Sequence, residues 1–231
     1  MKLSIIIPAY NEATTIKKVI EQVQKVDLSS IEKEIIVIDD ASHDGMAVIL
    51  KEIKGITVVS HELNLGKGAA IKDGFKKATG DIVIIQDADL EYNPNEYGKL
   101  ILPIIEGYAD VVYGSRFKGE GPHRVFYMHH YLGNKFLTFF SNICTGLNLT
   151  DMETCYKVFK RNVVDSFKDK LESNRFGIEP ELTARVAMGK WRVYEMGISY
   201  RGRTYLEGKK INWKDGLAAI WHIIYFNFFS N

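Results

Sequence analysis

The sequence has little that would commit it to a secreted, membrane-spanning or nucleic-acid-binding role. Only two cysteines, Cys144 and Cys155, occur in 231 residues. They form no disulfide framework and no zinc spacing, so a reducing cytosolic setting is the expectation. No apolar run reaches the roughly 18 residues of a spanning helix, and the opening Met1–Pro8 stretch is too short for a signal peptide and is broken by proline. An excess of one charge is also missing. The formal net charge is +1, so no overall field favours nucleic acid or an acidic partner. What is present is a hydrophobic share of 46%, which in a chain of this length supports one sizeable α/β domain, with room for a C-terminal appendage.

The first half alternates strand and helix signals. Leu3–Ile7 reads as a buried strand followed by Pro8-Ala-Tyr-Asn-Glu12, and Thr14 or Thr15 could cap a helix through Ile16, Val19, Ile20 and Val23. Glu34–Asp40 is a second strand ending in acids, and a helix through Ala47, Ile49, Leu50 and Ile53 follows it. Ile56–Ser60 is a third strand. Asn64-Leu-Gly-Lys-Gly68 opens a helix through Ala69, Ala70, Ile71, Phe75 and Ala78, closed by Gly80. Strand and helix at this spacing predict βαβ units and a mainly parallel sheet.

The fourth strand, Ile82–Ile85, runs into Gln-Asp-Ala-Asp-Leu-Glu91. Its β-branched run suits a strand buried on both faces. Asp87 and Asp89 sit two apart, so in extended geometry they point the same way. They are either two solvated acids in a turn or a hard-oxygen site for Mg²⁺ or Mn²⁺ shared with a diphosphate. Every strand ends in a polar loop, and in a parallel sheet these loops share the edge where ligands of open α/β folds bind. Asn64–Gly68 lacks the G-x-x-x-x-G-K-[ST] spacing of a P-loop. Its glycines either let backbone pass close to a ligand, with Lys67 near phosphate, or simply start a helix. Asp39 and Asp40 either cap the sheet edge or bind a base or ribose.

Taken together, Ile-Ile-Ile-Pro-Ala-Tyr-Asn-Glu12, Val-Ile-Asp-Asp-Ala-Ser-His-Asp-Gly45, Asn-Leu-Gly-Lys-Gly68 and Gln-Asp-Ala-Asp-Leu-Glu91 resemble family 2 glycosyltransferases of the GT-A fold. The resemblance is strongest to the polyprenyl-phosphate branch, which includes the dolichol-phosphate mannose and glucose synthases, and it covers nearly the whole chain. It implies a UDP- or GDP-linked sugar donor, a divalent cation and an inverting transfer. It also implies that Pro8, Tyr10, Glu12 and Asp40 hold the nucleotide, while Asp87, Asp89 and Glu91 serve the metal. Glu91 stands where the mannose synthases commonly have glutamine.

In the second half, Asp110–Arg116 is a strand ending at an arginine. The Ser115-Arg116 pair resembles the Gly-Ser-Arg of the same branch, where the arginine serves phosphate; a guanidinium suits that role because it is planar and bidentate. Arg124, after a glycine-rich loop, is a second candidate for the acceptor phosphate. Val125–Leu149 reads as a helix, either an ordinary core helix or one whose apolar face meets lipid. Asp151–Phe159 resembles an Asp-x-x-x-Gly-Phe-Lys-x-Phe segment, with Cys155 at the glycine and Tyr156 at the phenylalanine. Asp151 and Glu153 are candidate acceptor-side acids. Phe176–Arg185 predicts a helix starting at Pro180 as an N1 proline, with Glu179 or Glu181 as caps or acceptor-pocket walls. Trp191–Tyr200 is a further strand. The basic 201–211 stretch resembles a loop that closes over phosphates, with Arg201, Arg203, Lys209 and Lys210 as candidates, or else is a solvated loop. The apolar 213–229 tail carries Trp213, Trp221 and Tyr225, residue types of the lipid–water boundary; it either rests on a membrane or packs on the domain or a dimer partner.

The expected organisation is a GT-A domain over 1–211, with a nucleotide-sugar half at 1–116 and an acceptor half at 117–211, and an amphipathic tail over 212–231. The expected enzyme is a metal-dependent transferase using a polyprenyl phosphate, peripheral on the cytoplasmic face of a membrane and able to form homo-oligomers. Asp89 and Arg116 carry the catalytic roles. An acceptor that is already anionic needs no strong base, which matches the absence of an obvious buried base among Asp151, Glu153 and Glu179. A sugar-hydroxyl acceptor would require one of them. A nucleotidyltransferase would need a G-x-G-T-R loop, which is absent. A non-catalytic nucleotide-sugar-binding subunit would lack the acceptor-side arginines.

Overall fold

The structure, a computed structural model, describes residues 1–119, 124, 125, 127–203 and 213–230, excepting the side chains of 213–215. Lys209, Lys210 and the Trp213 side chain therefore lie outside the described residues. A seven-stranded sheet runs in the order β3-β2-β1-β4-β6-β5-β7. Its strands are β1 (Lys2–Ala9), β2 (Glu32–Asp39), β3 (Thr57–Ser60), β4 (Ile82–Ile85), β5 (Val111–Ser115), β6 (Lys157–Lys160) and β7 (Val193–Gly197). All neighbouring pairs are parallel except those of β6, which is antiparallel to both β4 and β5.

Register fixes the site. Ala9 pairs with Asp39 and Asp39 with Ser60, so β1, β2 and β3 end level with one another. Because β6 reverses twice, β5 and β7 run with β1–β4, and their C-terminal ends reach the same edge. Reversed β6 brings its N-terminal end there, so the 151–156 segment enters the ligand edge ahead of its strand. The β-branched runs of β1, β2 and β4 are sealed on both faces: Ile5, Ile6, Ile7, Val37, Ile38 and Ile82–Ile85 are buried. At about 1.5–3 kcal/mol per side chain they anchor the edge. Pro8 can occupy β1 because the β4 ladder reaches only Ile6.

Helix α1 (Ile16–Lys25) buries Ile16, Val19, Ile20 and Val23 as its spacing predicts. Thr15 occupies the cap position, but without a side-chain cap bond; its hydroxyl instead donates to Glu12 Oε2 at 2.9 Å. Two readings change in the following helices. Seven-residue α2 (Met46–Glu52), which opens after Gly45 at φ 91°, buries Met46 and Leu50 with Ile49 and Ile53 packed partly against the core, while Ala47 is exposed. Pro180 is the third residue of α7 (Ile178–Met188), not the first; the third position also needs no intrahelical N–H, so proline is tolerated there. The other helices are α3 (Lys67–Lys77), α4 (Tyr97–Ile105), α5 (Met128–Thr145), α6 (Arg161–Phe167) and α8 (Trp213–Phe228).

The tail packs on the domain. Helix α8 lies against α7 and α5 and buries Ala219, Ile223 and Phe226. Leu217, Trp221, Phe228 and Phe229 remain exposed. Helix α5 inverts the usual arrangement. Its buried residues are Thr138 and Ser141, whereas Leu132, Phe136, Phe139 and Ile143 face outward. No helix among the described residues is long and apolar enough to cross a membrane.

Candidate active site

The loops after β1 and β2 are tied to each other. Asn11 N–H donates to Ser42 Oγ at 2.9 Å, His43 N–H to Asn11 Oδ1 at 3.0 Å and Ala13 N–H to Asp44 Oδ2 at 2.8 Å. Asn11, Ala41 and Leu90 hold positive φ of 52°, 60° and 64°. Each is a non-glycine residue in a loop of this edge, and strain of this kind persists only where surrounding contacts hold it. Tyr10 sits half-buried, edge-on to His43 at 5.9 Å between ring centres.

Asp39 Oδ1 accepts the Ser42 N–H at 3.0 Å. Buried Asp40 is spent on the fold: it accepts Leu65 N–H at 2.8 Å and Gly66 N–H at 2.7 Å, and meets His61 Nδ1 at 2.7 Å. That changes the reading of the Asn64–Gly68 turn. Its glycines make room for the chain's own backbone, because a Cβ on Gly66 or Gly68 would collide with the carbonyl oxygens of Asn174 or Ser173. Ala69 N–H donates to Asn174 O at 3.0 Å across that contact.

The acid pair sits among cations. Lys67 Nζ lies 2.8 Å from Asp87 and 3.2 Å from Glu179. Arg203 lies 3.2 Å from Asp89, 3.3 Å from Glu12 and 3.6 Å from Glu91. Asp89 remains under-compensated: burial, then the charges of Asp87 and Glu91, push its carboxyl up to about 8 against the pull of Arg203. A pair of hard oxygen donors with unbalanced negative charge fits a divalent cation, and Asp87 and Asp89 are the residues that would hold it. Glu91, the third acid expected at the metal, also holds backbone in place. It accepts the Tyr200 hydroxyl at 2.6 Å and the Arg203 N–H at 2.7 Å, so its carboxylate anchors the 200–203 segment over the acids.

Farther along the edge, Arg116 is buried and forms a two-point pair with Asp151, Nε to Oδ2 at 2.7 Å and Nη2 to Oδ1 at 2.8 Å. Nη2 also donates to Asn134 at 3.2 Å. Tyr200 lies beneath the guanidinium at 5.2 Å. Asp151 is thereby committed as the partner that orients Arg116, and its carboxylate is no open base. Arg124 is exposed and donates to Gly202 O at 3.1 Å; exposed Arg201 donates its N–H to Glu91 O at 2.9 Å. Both frame the segment that carries Arg203. Glu179 pairs with fully buried Lys157, which also bonds Thr154 O. The acid that bears on the expectation of no obvious buried base is Glu153, whose side chain is half-buried. Burial and the nearby charge of Glu179 push its carboxyl up to about 7, and its Oε1 is sealed without a hydrogen-bond partner.

Lys157 and Tyr200 were not singled out from the sequence. A lone lysine inside Cys-Tyr-Lys-Val-Phe159 is a usable signal, because a cation in a buried strand requires an acid. Tyr200 gives no such signal, since its partners lie 84 and 109 positions away. Behind the acid pair, Gln86 is buried and accepts the hydroxyls of Tyr97 and Tyr156, both at 2.7 Å.

An open α/β sheet with acids after β4, polar loops along one edge and an antiparallel strand bringing in the 151–156 segment defines the GT-A class of glycosyltransferase. The chain belongs to glycosyl transferase family 2, whose model matches residues 4–167. It is similar to the UDP-N-acetylglucosamine–dolichyl-phosphate N-acetylglucosaminyltransferase of Methanococcus voltae, 26% identical over 95% of this chain and 94% of that protein. It is also similar to the undecaprenyl-phosphate 4-deoxy-4-formamido-L-arabinose transferase of Aeromonas hydrophila, 30% identical over 90% of this chain and 62% of the relative. In fold it matches glucosyl-3-phosphoglycerate synthase from Mycobacterium tuberculosis, solved with uridine diphosphate, with a TM-score of 0.73 at 20% identity over 96% of this chain and 79% of that one. The same synthase has been solved with Mn²⁺, uridine diphosphate and glucosyl-3-phosphoglycerate, with a TM-score of 0.70 at 19% identity over 98% of this chain and 80% of that one.

Proposed function

We propose that this glycosyltransferase moves a sugar from a nucleoside-diphosphate sugar to a polyprenyl phosphate, assisted by Mg²⁺ or Mn²⁺ at Asp87 and Asp89. The observation that carries this reading is the placement of two charged stations on one edge: Asp87 and Asp89 with Lys67 and Arg203 on one side, and the Arg116–Asp151 pair on the other. The relatives that use dolichyl and undecaprenyl phosphate support the acceptor class. When bound, the cation supplies positive charge to the leaving diphosphate. Lys67 and Arg203 add to it from the protein side. Arg116, held in plane by Asp151 and Asn134, offers Nη1, which donates to no other group among the described residues, to a phosphate oxygen of the acceptor. The anomeric carbon must then lie between the two stations. The outward apolar faces of α5 and α8 fit contact with the lipid that carries such an acceptor.

A sugar hydroxyl is the second acceptor reading, favoured by Glu153, whose carboxyl near 7 suits a general base. One experiment separates the two readings. Turnover is measured with UDP- and GDP-sugars against undecaprenyl phosphate, dolichyl phosphate and free sugars, for the native chain and Asp89→Asn. The expected result is transfer to a lipid phosphate that falls at least ~10³-fold in Asp89→Asn, with the thermal midpoint preserved. Near-native turnover in Asp89→Asn, or transfer to free sugars alone, would refute the reading.

A further inference from the structure

Glu153 differs from the other acids around the two charged stations. Asp151 is paired with Arg116, Glu179 with Lys157 and Lys67, Asp87 with Lys67, and Glu12, Asp89 and Glu91 with Arg203. Glu153 forms no ion pair among the described residues, and its Oε1 has no hydrogen-bond partner. The charged groups around it are Glu179, Lys157, Arg116 and Asp151. They cancel as two ion pairs, which leaves the Glu153 carboxyl without a counter-charge of its own. A sealed polar atom without a partner costs about 1–3 kcal/mol, and burial keeps the carboxyl protonated up to about 7.

The position of this group is set by topology. The 151–156 segment precedes β6, and β6 is the neighbour of β4, at whose end Asp87 stands. Cys155, two residues on, points its thiol at Ile85 O at 3.6 Å, the last residue of β4. Half-buried Glu153 thus stands on the short stretch of chain between Asp151, which holds Arg116, and Cys155, which touches the end of β4, facing the interval in which the proposed transfer would place the sugar. A phosphate oxygen there would be repelled by the ionised carboxyl. A hydroxyl suits both of its protonation states, donating a hydrogen bond to the ionised carboxylate or accepting one from the protonated carboxyl.

We infer that Glu153 is a positioning and specificity residue whose carboxyl hydrogen-bonds a hydroxyl of the transferred sugar. The inference rests on the nucleoside-diphosphate-sugar donor proposed above. A site built to bond a hydroxyl discriminates against sugars that lack it, because its own buried polar group is then left without a partner.

The test is calorimetric binding of UDP, GDP, UDP-glucose, UDP-N-acetylglucosamine and GDP-mannose to the full chain with Mg²⁺. The proteins compared are native, Glu153→Gln and Glu153→Ala, each checked for an unchanged thermal midpoint. The expected result is that Glu153→Ala weakens the tightest-binding sugar nucleotide about tenfold, the worth of one hydrogen bond, and leaves the matching nucleoside diphosphate unchanged. Glu153→Gln, which keeps a donor and an acceptor in place, stays within about threefold of native. Equal effects on sugar nucleotide and nucleoside diphosphate, or no effect on either, overturn the inference while the proposed function stands. So does a roughly 100-fold loss of turnover in Glu153→Gln with donor binding intact, which would make the residue the base. Failure of every sugar nucleotide to bind the native chain removes the donor reading and the inference with it. A Glu153→Ala chain that does not fold leaves Glu153→Met to replace it under the same criteria.

Discussion

Helices α1 and α5 carry the same kind of apolar stripe and meet opposite surroundings. In α1 the stripe Ile16, Val19, Ile20 and Val23 is no more than 1% exposed. In α5 the stripe Leu132, Phe136, Phe139 and Ile143 is 54–63% exposed. The difference comes from what the other face of α5 has to do. Thr138 accepts the Met152 N–H at 3.1 Å, Asn134 accepts from Arg116, and Asn142 accepts the Leu149 N–H at 3.1 Å. The polar face holds the acceptor-side segment in place, so the apolar face is turned away from the domain. Periodicity shows that a helix is two-faced; hydrogen-bond demand decides which face is buried.

The largest expected effect separates the two helices directly. Ile20→Ala removes a fully buried side chain and should destabilise the domain by about 3 kcal/mol, read by denaturant unfolding. The pair Phe139→Ser and Ile143→Ser should change stability by less than about 0.5 kcal/mol. It should nevertheless weaken sedimentation with phosphatidylethanolamine–phosphatidylglycerol vesicles about tenfold or more. If this pair instead lowers stability as Ile20→Ala does, the α5 stripe is covered by a second copy or another partner, and the contrast between the helices disappears.

A second, smaller effect depends on pH. The folded-state pKa of Glu153 lies at about 7, above the ordinary 4.5. Below about 4.5 the group is protonated folded and unfolded, so its ionisation adds no cost. As pH rises from there through 7, the unfolded chain releases the proton first and the folded state loses stability. Glu153→Gln should therefore match native stability near pH 4.5 and exceed it above pH 7 by about 2 kcal/mol, less than the ~3.4 kcal/mol of the full shift because the side chain is only half-buried and solvent screens it. The comparison is made between the two proteins at each pH, because Asp89, also raised, moves in the same direction in both. A gap that does not grow with pH would mean that the Glu153 carboxyl is solvated.

The first half of the chain was legible for a definite reason. Its strands are β-branched runs sealed on both faces, and each ends in an acid or a polar turn, so local composition alone marks both the strand and the site edge. The site itself was less legible, because its geometry depends on pairs remote in sequence. Arg203 reaches Glu12 across 191 positions, and Tyr200 reaches Glu91 across 109. Nothing local in Glu91 shows that it also anchors the 200–203 segment, and nothing local in Asp40 shows that it braces the Leu65–Gly66 turn. Glu153 was grouped with Asp151 and Glu179, since charge type is visible in a sequence and pairing is not.

Tyr156 connects the two halves at the smallest scale. It stands where the resembling branch has phenylalanine, and its hydroxyl adds a bond to Gln86, whose Nε2 in turn donates to the Asp87 carbonyl at 2.9 Å. Tyr97 donates to the same Gln86 oxygen from α4. Tyr156→Phe should therefore cost only about 1 kcal/mol, because Tyr97 still satisfies that oxygen, and Tyr97→Phe should cost about the same for the converse reason. The double variant removes both donors from a fully buried acceptor. It should cost about 1 kcal/mol more than the sum of the single changes, a coupling readable in a double-mutant cycle by denaturant unfolding. Strict additivity would mean that water reaches Gln86 and replaces the lost donors, so that the bed beneath Asp87 is wetter than the sealed ring cluster of Tyr92, Tyr97 and Tyr156 implies.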